Sequence, residues 1–278
     1  MAPDTINVSW SALRTHEECR MKGRLMREGK RTPVTNLRNF YQGMVVDSVM
    51  QAWLADPNRQ PGQMVAMVDD QIDKGAEDAR VSGDGIVRWR HPGDRDEVRA
   101  FCIECVRRLE PLLVQHVTRH RFYAPFRFKV PIRMPDVDPD LTINLTGEMD
   151  LLIDRQPGWV VLDLKGTGDD QYYRRVIGQL VFYDLAVLGL HGERTLHTGL
   201  IQPMCTEQWL RFDITEQMRR ELWARIARMV AEIRADDLPC KEGTSGCSWC
   251  EVRHACPRYS PDNDSLGLGL RAAAKEIT

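Results

Sequence analysis

The chain has 278 residues, 42% hydrophobic and 28% charged, the balance of a globular protein long enough for a sizeable core. Its 38 basic and 40 acidic side chains leave a net charge of −2, so overall charge announces no nucleic-acid partner, although local basic patches stay open. No apolar run approaches the roughly 20 residues that span a bilayer, and MAPDTINVSW has no basic region followed by an apolar stretch, so a cytoplasmic protein without secretory signal or membrane partner is expected.

Residues 9–31, SWSALRTHEECRMKGRLMREGKR, predict a helix capped by Ser9 or Ser11, with Glu17 and Glu18 near its start. It carries Cys19 and a basic strip of Arg14, Arg20, Lys22, Arg24, Arg27, Lys30 and Arg31. Such a strip is either a solvated helix face or a set of phosphate contacts. Residues 37–56 have the spacing of a buried helix, with Asp47 the one charge in GMVVDSVM. A lone acid there is more often at the helix–solvent margin than a ligand. Residues 56–62, DPNRQPG, predict a loop, 63–80 a peripheral amphipathic helix, and 82–95 a second loop. Residues 96–120 predict a long amphipathic helix, in which Cys102 and Cys105 continue the apolar face and read as packed, inert thiols.

Residues 126–134 alternate basic and apolar residues as an amphipathic strand does. A hairpin follows within 142–166, where the apolar runs Met149–Ile153 and Trp159–Leu164 flank Arg155-Gln156-Pro157-Gly158. With that turn, paired residue numbers sum to 313, which sets Asp150 opposite Asp163. Cβ atoms of such partners lie roughly 4.5–5.5 Å apart. Lys165 shares the face of Asp163, about 6–7 Å further along. Two facing carboxylates destabilise a greasy sheet unless a cation sits between them. Mg²⁺ or Mn²⁺ would suit these oxygen donors, and Lys165 could polarise a water or stabilise charge on a phosphate. The plainer alternative is a surface Asp–Lys pair at a fraying hairpin end.

A helix over about 170–190 brings Gln179 and Tyr183 to one face. Residues 197–203 and 207–214 predict two strands, and 215–236 a last amphipathic helix. Eight cysteines in a chain read as non-exported point to thiols or metal ligation. In PCKEGTSGCSWCEVRHACP, Cys247, Cys250 and Cys256 have the spacing of metal ligands. The fourth ligand is either Cys240 nearby or Cys19 far away, and four thiolates suit zinc or an iron–sulfur cluster.

Together these features resemble the PD-(D/E)xK nuclease superfamily, specifically its RecB-like branch, over roughly residues 8–258. The likeness is to CRISPR-associated RecB-like iron–sulfur exonucleases and AddAB-type nuclease domains. The family's G-x-x-D strand corresponds to Gly147-Glu148-Met149-Asp150, its D-x-K strand to Asp163-Leu164-Lys165, and its Q-x-x-x-Y helix motif to Gln179 and Tyr183. The split cluster motif corresponds to Cys19 with Cys247, Cys250 and Cys256, which leaves Cys240 spare. Where the family has a metal-binding His four residues after a helix Gly, this chain has Asp47 after Gly43.

The resemblance implies an α/β, restriction-endonuclease-like mixed central sheet flanked by helices. It implies a [4Fe–4S] cluster joining the N-terminal helix to the C-terminal loop. The expected organisation is one nuclease domain over 1–260 with a helical insertion over about 57–120, a cluster loop over 240–257 and a flexible tail over 261–278. The implied activity is Mg²⁺- or Mn²⁺-dependent hydrolysis of DNA, as an exonuclease on single strands with endonuclease activity open. Asp47, Asp150, Asp163 and the Leu164 carbonyl would hold the cation. Lys165 would act on water and phosphate, with Gln179 and Tyr183 orienting it or contacting DNA. Tyr172, Tyr173 and Trp249 are candidate base-stacking residues. Helicase, recombination and CRISPR-adaptation proteins are the implied partner classes. Two rival functions are a non-catalytic iron–sulfur DNA-binding partner and a zinc-stapled interaction adaptor.

Overall fold

The computed structural model describes residues 5–30, 38–82, 93–135, 137–165, 170–202, 209–240, 247 and 250–258, with backbone alone for 38–40, 75–82 and 170–175. The predicted loop over 82–95 falls largely outside these residues, as do the side chains of Tyr172, Tyr173 and Trp249 and the tail.

The apolar strands near residue 160 are buried on both faces, which is why they read as near-continuous hydrophobic runs. β5 (Leu151–Asp154) and β6 (Trp159–Leu164) pair antiparallel, with Leu151 opposite Leu162 and Leu152 opposite Val161. Their numbers sum to 313, as the turn at 155–158 requires. Successive side chains point to opposite faces. Leu152 and Val161 accordingly enter one core, while Leu151, Ile153, Val160 and Leu162 enter another.

Five strands form this mixed sheet in the order β2-β5-β6-β7-β8, with β2 (Arg121–Tyr123), β7 (Thr195–Ile201) and β8 (Leu210–Phe212). Only β6 and β7 run parallel. A second sheet has the order β1-β4-β3, from β1 (Thr5–Val8), β3 (Phe126–Arg133) and β4 (Thr142–Met149). The expected single central sheet is thus two sheets, and Asp150 is the one residue between β4 and β5 that joins them. β1 and β2 lie outside the predicted strands, because four and three residues are too short for a readable alternation.

The first core lies under α1 (Trp10–Glu18), α6 (Asp170–His191) and α7 (Glu216–Arg234). The second lies under α3 (Arg38–Ala55), α4 (Gln63–Ser82) and α5 (Asp94–Val117). Cys102 and Cys105 are fully buried there, and burial raises the Cys102 thiol to about 12, so both are packing thiols as expected.

The predicted helix over 9–31 is broken. Ser9 caps α1 by accepting from the Ala12 amide at 3.1 Å, and Cys19 sits extended between α1 and α2 (Arg20–Arg27). Three of the four basic residues on α2 are ion-paired. Arg20 reaches Glu232 at 2.5 Å and Asp237 at 3.3 Å, Arg24 reaches Asp236 at 3.1 Å, and Lys22 reaches Glu251 at 3.7 Å. These acids end α7 and line the C-terminal loop, so Arg20, Lys22 and Arg24 dock a helix and are not open phosphate contacts.

α6 crosses α1 at Gly178, where an added Cβ would overlap Trp10 Cη2 and stand 2.8 Å from Cζ2. Alanine gains about 1 kcal/mol of helix propensity, but overpacking costs about 1–3 kcal/mol. Gly178→Ala is expected to lower the urea midpoint, and adding Trp10→Leu to recover much of the loss. A stabilised single variant would mean that α1 yields freely.

Candidate active site

The ladder between β5 and β6 ends at Leu151–Leu162. Asp150 lies in the bend beyond, and its Oδ2 accepts the Leu164 amide at 2.6 Å. Strand alternation puts Asp163 and Lys165 on the face of Val161, toward α6. Asp163 is wholly buried, and neither of its carboxylate oxygens has a hydrogen bond of acceptable geometry. Lys165 Nζ nevertheless stands 2.5 Å from its Oδ2, a contact of charge with poor alignment. The same ammonium donates to the Leu164 carbonyl at 3.2 Å.

Asp150 keeps some accessible surface but is crowded by protein atoms. That enclosure, then the charge of Asp163, holds its carboxyl well above the usual aspartate range. Asp47, on α3, belongs to the same electrostatic group. Burial pushes it up to about 6, Glu148 and Asp163 push the same way, and Gln51 and Lys165 oppose. Gln51 donates to Asp47 Oδ2 at 2.7 Å, and Asp47 Oδ1 is buried without a hydrogen bond. Tertiary packing therefore brings together Asp47, Asp150, Asp163, Lys165 and the Leu164 carbonyl.

Gln179 and Tyr183 lie one layer behind. Gln179 donates to the Tyr183 hydroxyl at 2.7 Å, and that hydroxyl donates to the Glu148 carbonyl at 2.7 Å. Burial and the neighbouring Asp163 and Asp150 charges keep the phenol protonated. The pair thus fixes the end of β4, two residues before Asp150. Gly147 has a steric role, since a Cβ there would stand 2.8 Å from Phe128 Cζ, and Phe128 packs edge-on against Tyr183. Sequence reasoning passed over Glu148 and Gln51. The i, i+2 spacing of Glu148 and Asp150 on an extended strand, and the i, i+4 spacing of Asp47 and Gln51 on a helix, were the available signals.

Among the described residues, no group of three or more His, Cys, Asp or Glu side chains is arranged to hold a metal ion. The donor chemistry still fits a hard divalent cation. Asp163 and Asp47 present buried carboxylate oxygens without hydrogen bonds, and the charge of Asp163 disfavours that of Asp150. The Lys165 ammonium now covers Asp163.

Raised carboxylates bear on stability. Between the ordinary Asp value of 3.8 and about 6, the folded chain holds a proton at Asp47 that the unfolded chain has released. Stability from this group is therefore full at the acid end and lost as pH rises through that window. Urea unfolding in EDTA is expected to show a loss of about 2 kcal/mol from this residue between pH 4.5 and 7.5, absent in Asp47→Asn. A rise in stability over that window, abolished in Asp47→Asn, would refute this.

The thiols form a second constellation. Cys240 Sγ and Cys256 Sγ are 3.3 Å apart, and burial first, then Cys256, raises Cys240 to about 12, with a smaller push from Cys19. Burial also raises Cys250, with smaller pushes from Cys19 and Cys247. The break at Cys19 thus faces the C-terminal loop across more than 220 residues of chain. Cys240, left spare by the motif, packs against one of the motif cysteines.

The profile of the PD-(D/E)XK nuclease superfamily matches residues 7–257. No curated protein matches the chain. Among solved structures, the "Putative exonuclease" of Eubacterium rectale covers 91% of this chain and 89% of its own, at 13% identity and a TM-score of 0.54, a likeness of fold. The protein SSO0001 covers 78% of this chain and 96% of its own, at 13% identity and a TM-score of 0.37.

Proposed function

The chain belongs to the PD-(D/E)XK nuclease superfamily, and from that premise we propose that it is a divalent-metal-dependent deoxyribonuclease, an exonuclease acting on single-stranded ends. The single observation behind this reading is the wholly buried Asp163, without hydrogen bonds, beside a second carboxylate and a lysine. Asp47, Asp150, Asp163 and the Leu164 carbonyl would hold Mg²⁺ or Mn²⁺. Such an ion supplies Lewis-acid polarisation of a phosphate and a more acidic water. The chain's own part is positional and electrostatic. Lys165 moves its donors from Asp163 to a phosphate oxygen and offsets the charge developing there. The Leu164 amide fixes the rotamer of Asp150, and Gln179 and Tyr183 hold the β4 end that carries it. The test is cleavage of end-labelled single- and double-stranded DNA with Mn²⁺. Stepwise shortening of single strands is expected, and no cleavage in any divalent metal would end the proposal. The name of the Eubacterium rectale relative agrees with this direction.

For the thiols we propose the RecB-like arrangement, with Cys19, Cys247, Cys250 and Cys256 on a structural [4Fe–4S] cluster. It would close the domain by tying α1 and α2 to the C-terminal loop. The 3.3 Å contact of Cys240 with Cys256 favours a second reading, since ligands of one zinc ion lie closer together than thiolates on separate irons. Anaerobically purified protein should be brown with visible absorption. A colourless protein holding one zinc would select the second reading.

A further inference from the structure

At the turn end of β6, remote from the carboxylates, a cleft of about 520 Å³ opens between the C-terminus of α5 and the 155–158 turn. Its lining includes His116, Arg119, His120 and Arg155 and, among the described residues, no acid. Trp159 and Asp163 are four residues apart, so roughly 13 Å of strand separates this end from the catalytic one. Neither Arg119 nor Arg155 is in an ion pair among the described residues, and both are exposed. His116 Nε2 is buried without a hydrogen-bond partner, and so is Nε2 of His197 on β7. The His116 and His197 rings lie 5.3 and 5.2 Å from the Trp209 indole.

The negative end of the α5 dipole explains one or two cations at this place. It does not explain Arg155, which arrives from a separate hairpin turn. Burial, then the charges of Arg155 and His120, hold His116 below its ordinary value, so a neutral imidazole with an unused nitrogen sits among guanidiniums. Burial first, then Arg211 and Arg155, does the same to His197. Two exposed guanidiniums lining one cleft beside His116, with no acid among its described lining residues, are the complement of a phosphate: forked donors for the anionic oxygens.

We propose that Arg119, Arg155 and His116 form a phosphate-binding pocket that anchors a nucleic-acid strand away from the cut. This rests on the nuclease reading for the identity of the strand. The phosphate could equally be free, and the experiment separates the two. In EDTA, where nothing is cut, anisotropy of fluorescein-labelled oligothymidylate is measured against salt for wild type and the Arg119→Ala/Arg155→Ala double variant. The double variant should bind about five- to tenfold more weakly at low salt, with a log–log salt slope shallower by about 0.7 for each phosphate no longer neutralised. Arg119→Lys/Arg155→Lys, which keeps the charge, should retain the slope and controls for folding. In parallel, inorganic phosphate is titrated against the imidazole NMR signals of His116. Signals that move in wild type but not in the alanine variant, with oligonucleotide binding unchanged, would keep the phosphate site and make its ligand a free anion. Unchanged oligonucleotide binding together with unmoved His116 signals overturns the proposal. Because binding is read without turnover, a chain that binds through the pocket but never cuts would sink the nuclease reading alone.

Discussion

Asp150→Asn will abolish cleavage and leave the metal-free protein at least as stable as wild type. Its Oδ2 accepts the Leu164 amide, a bond that an amide oxygen can also accept. The carboxylate charge is therefore not needed for the fold. It is a burden on it, because Asp150 is enclosed and faces the charge of Asp163. Removing that charge should raise the urea midpoint of the EDTA-treated protein at pH 7.5. Cleavage of labelled DNA with Mn²⁺ should fall on the order of 10²-fold or more, as when a transition-state charge partner is removed. Lys165→Ala should match it in activity without the gain in stability, since it strands the buried Asp163. Wild-type cleavage by both variants would remove the proposed site. Marked destabilisation by Asp150→Asn would mean that the carboxylate is structural.

Arg219→Met will be strongly destabilising, without touching the site. Asp184 is wholly buried and accepts Arg219 Nε at 2.5 Å, the Thr195 amide at 3.1 Å and the Thr195 hydroxyl at 2.5 Å. This pair ties α6 to α7 and to the start of β7. Without the guanidinium a buried carboxylate is left unbalanced, a cost of roughly 3–5 kcal/mol. Asp184→Leu combined with Arg219→Met should recover much of that loss, because the charge and its partner leave together. Urea denaturation of the single and double variants measures both numbers. A single-variant loss under about 1 kcal/mol would show that water reaches Asp184 once Arg219 is removed, so that its charge is not stranded.

Local signals carried the elements that are long or sharply punctuated. α3 through α7 follow helical spacing, and Pro157-Gly158 set the β5–β6 register, because a turn of fixed length leaves one pairing. Alternation along β6 then put Asp163 and Lys165 on one face without any coordinates. The break at Cys19 was not legible, since every residue around it suits a helix. What bends the chain there is the docking of α2 against the acids of α7 and the C-terminal loop. The same long-range pairing makes Arg20, Lys22 and Arg24 a helix dock, neither the solvated face nor the phosphate contacts that the strip allowed.

The sequence by itself determined the carboxylate–lysine hairpin and the positions of the candidate motifs, because a period of two and a four-residue turn are local geometry. Only the tertiary structure decided that Asp47 joins those carboxylates and that Gln179 and Tyr183 brace β4 from behind. It also decided that Cys240 lies against Cys256 and that Asp184 is neutralised by Arg219. Each of these is a contact fixed by how separate segments of the chain pack, which no single spacing along the chain settles.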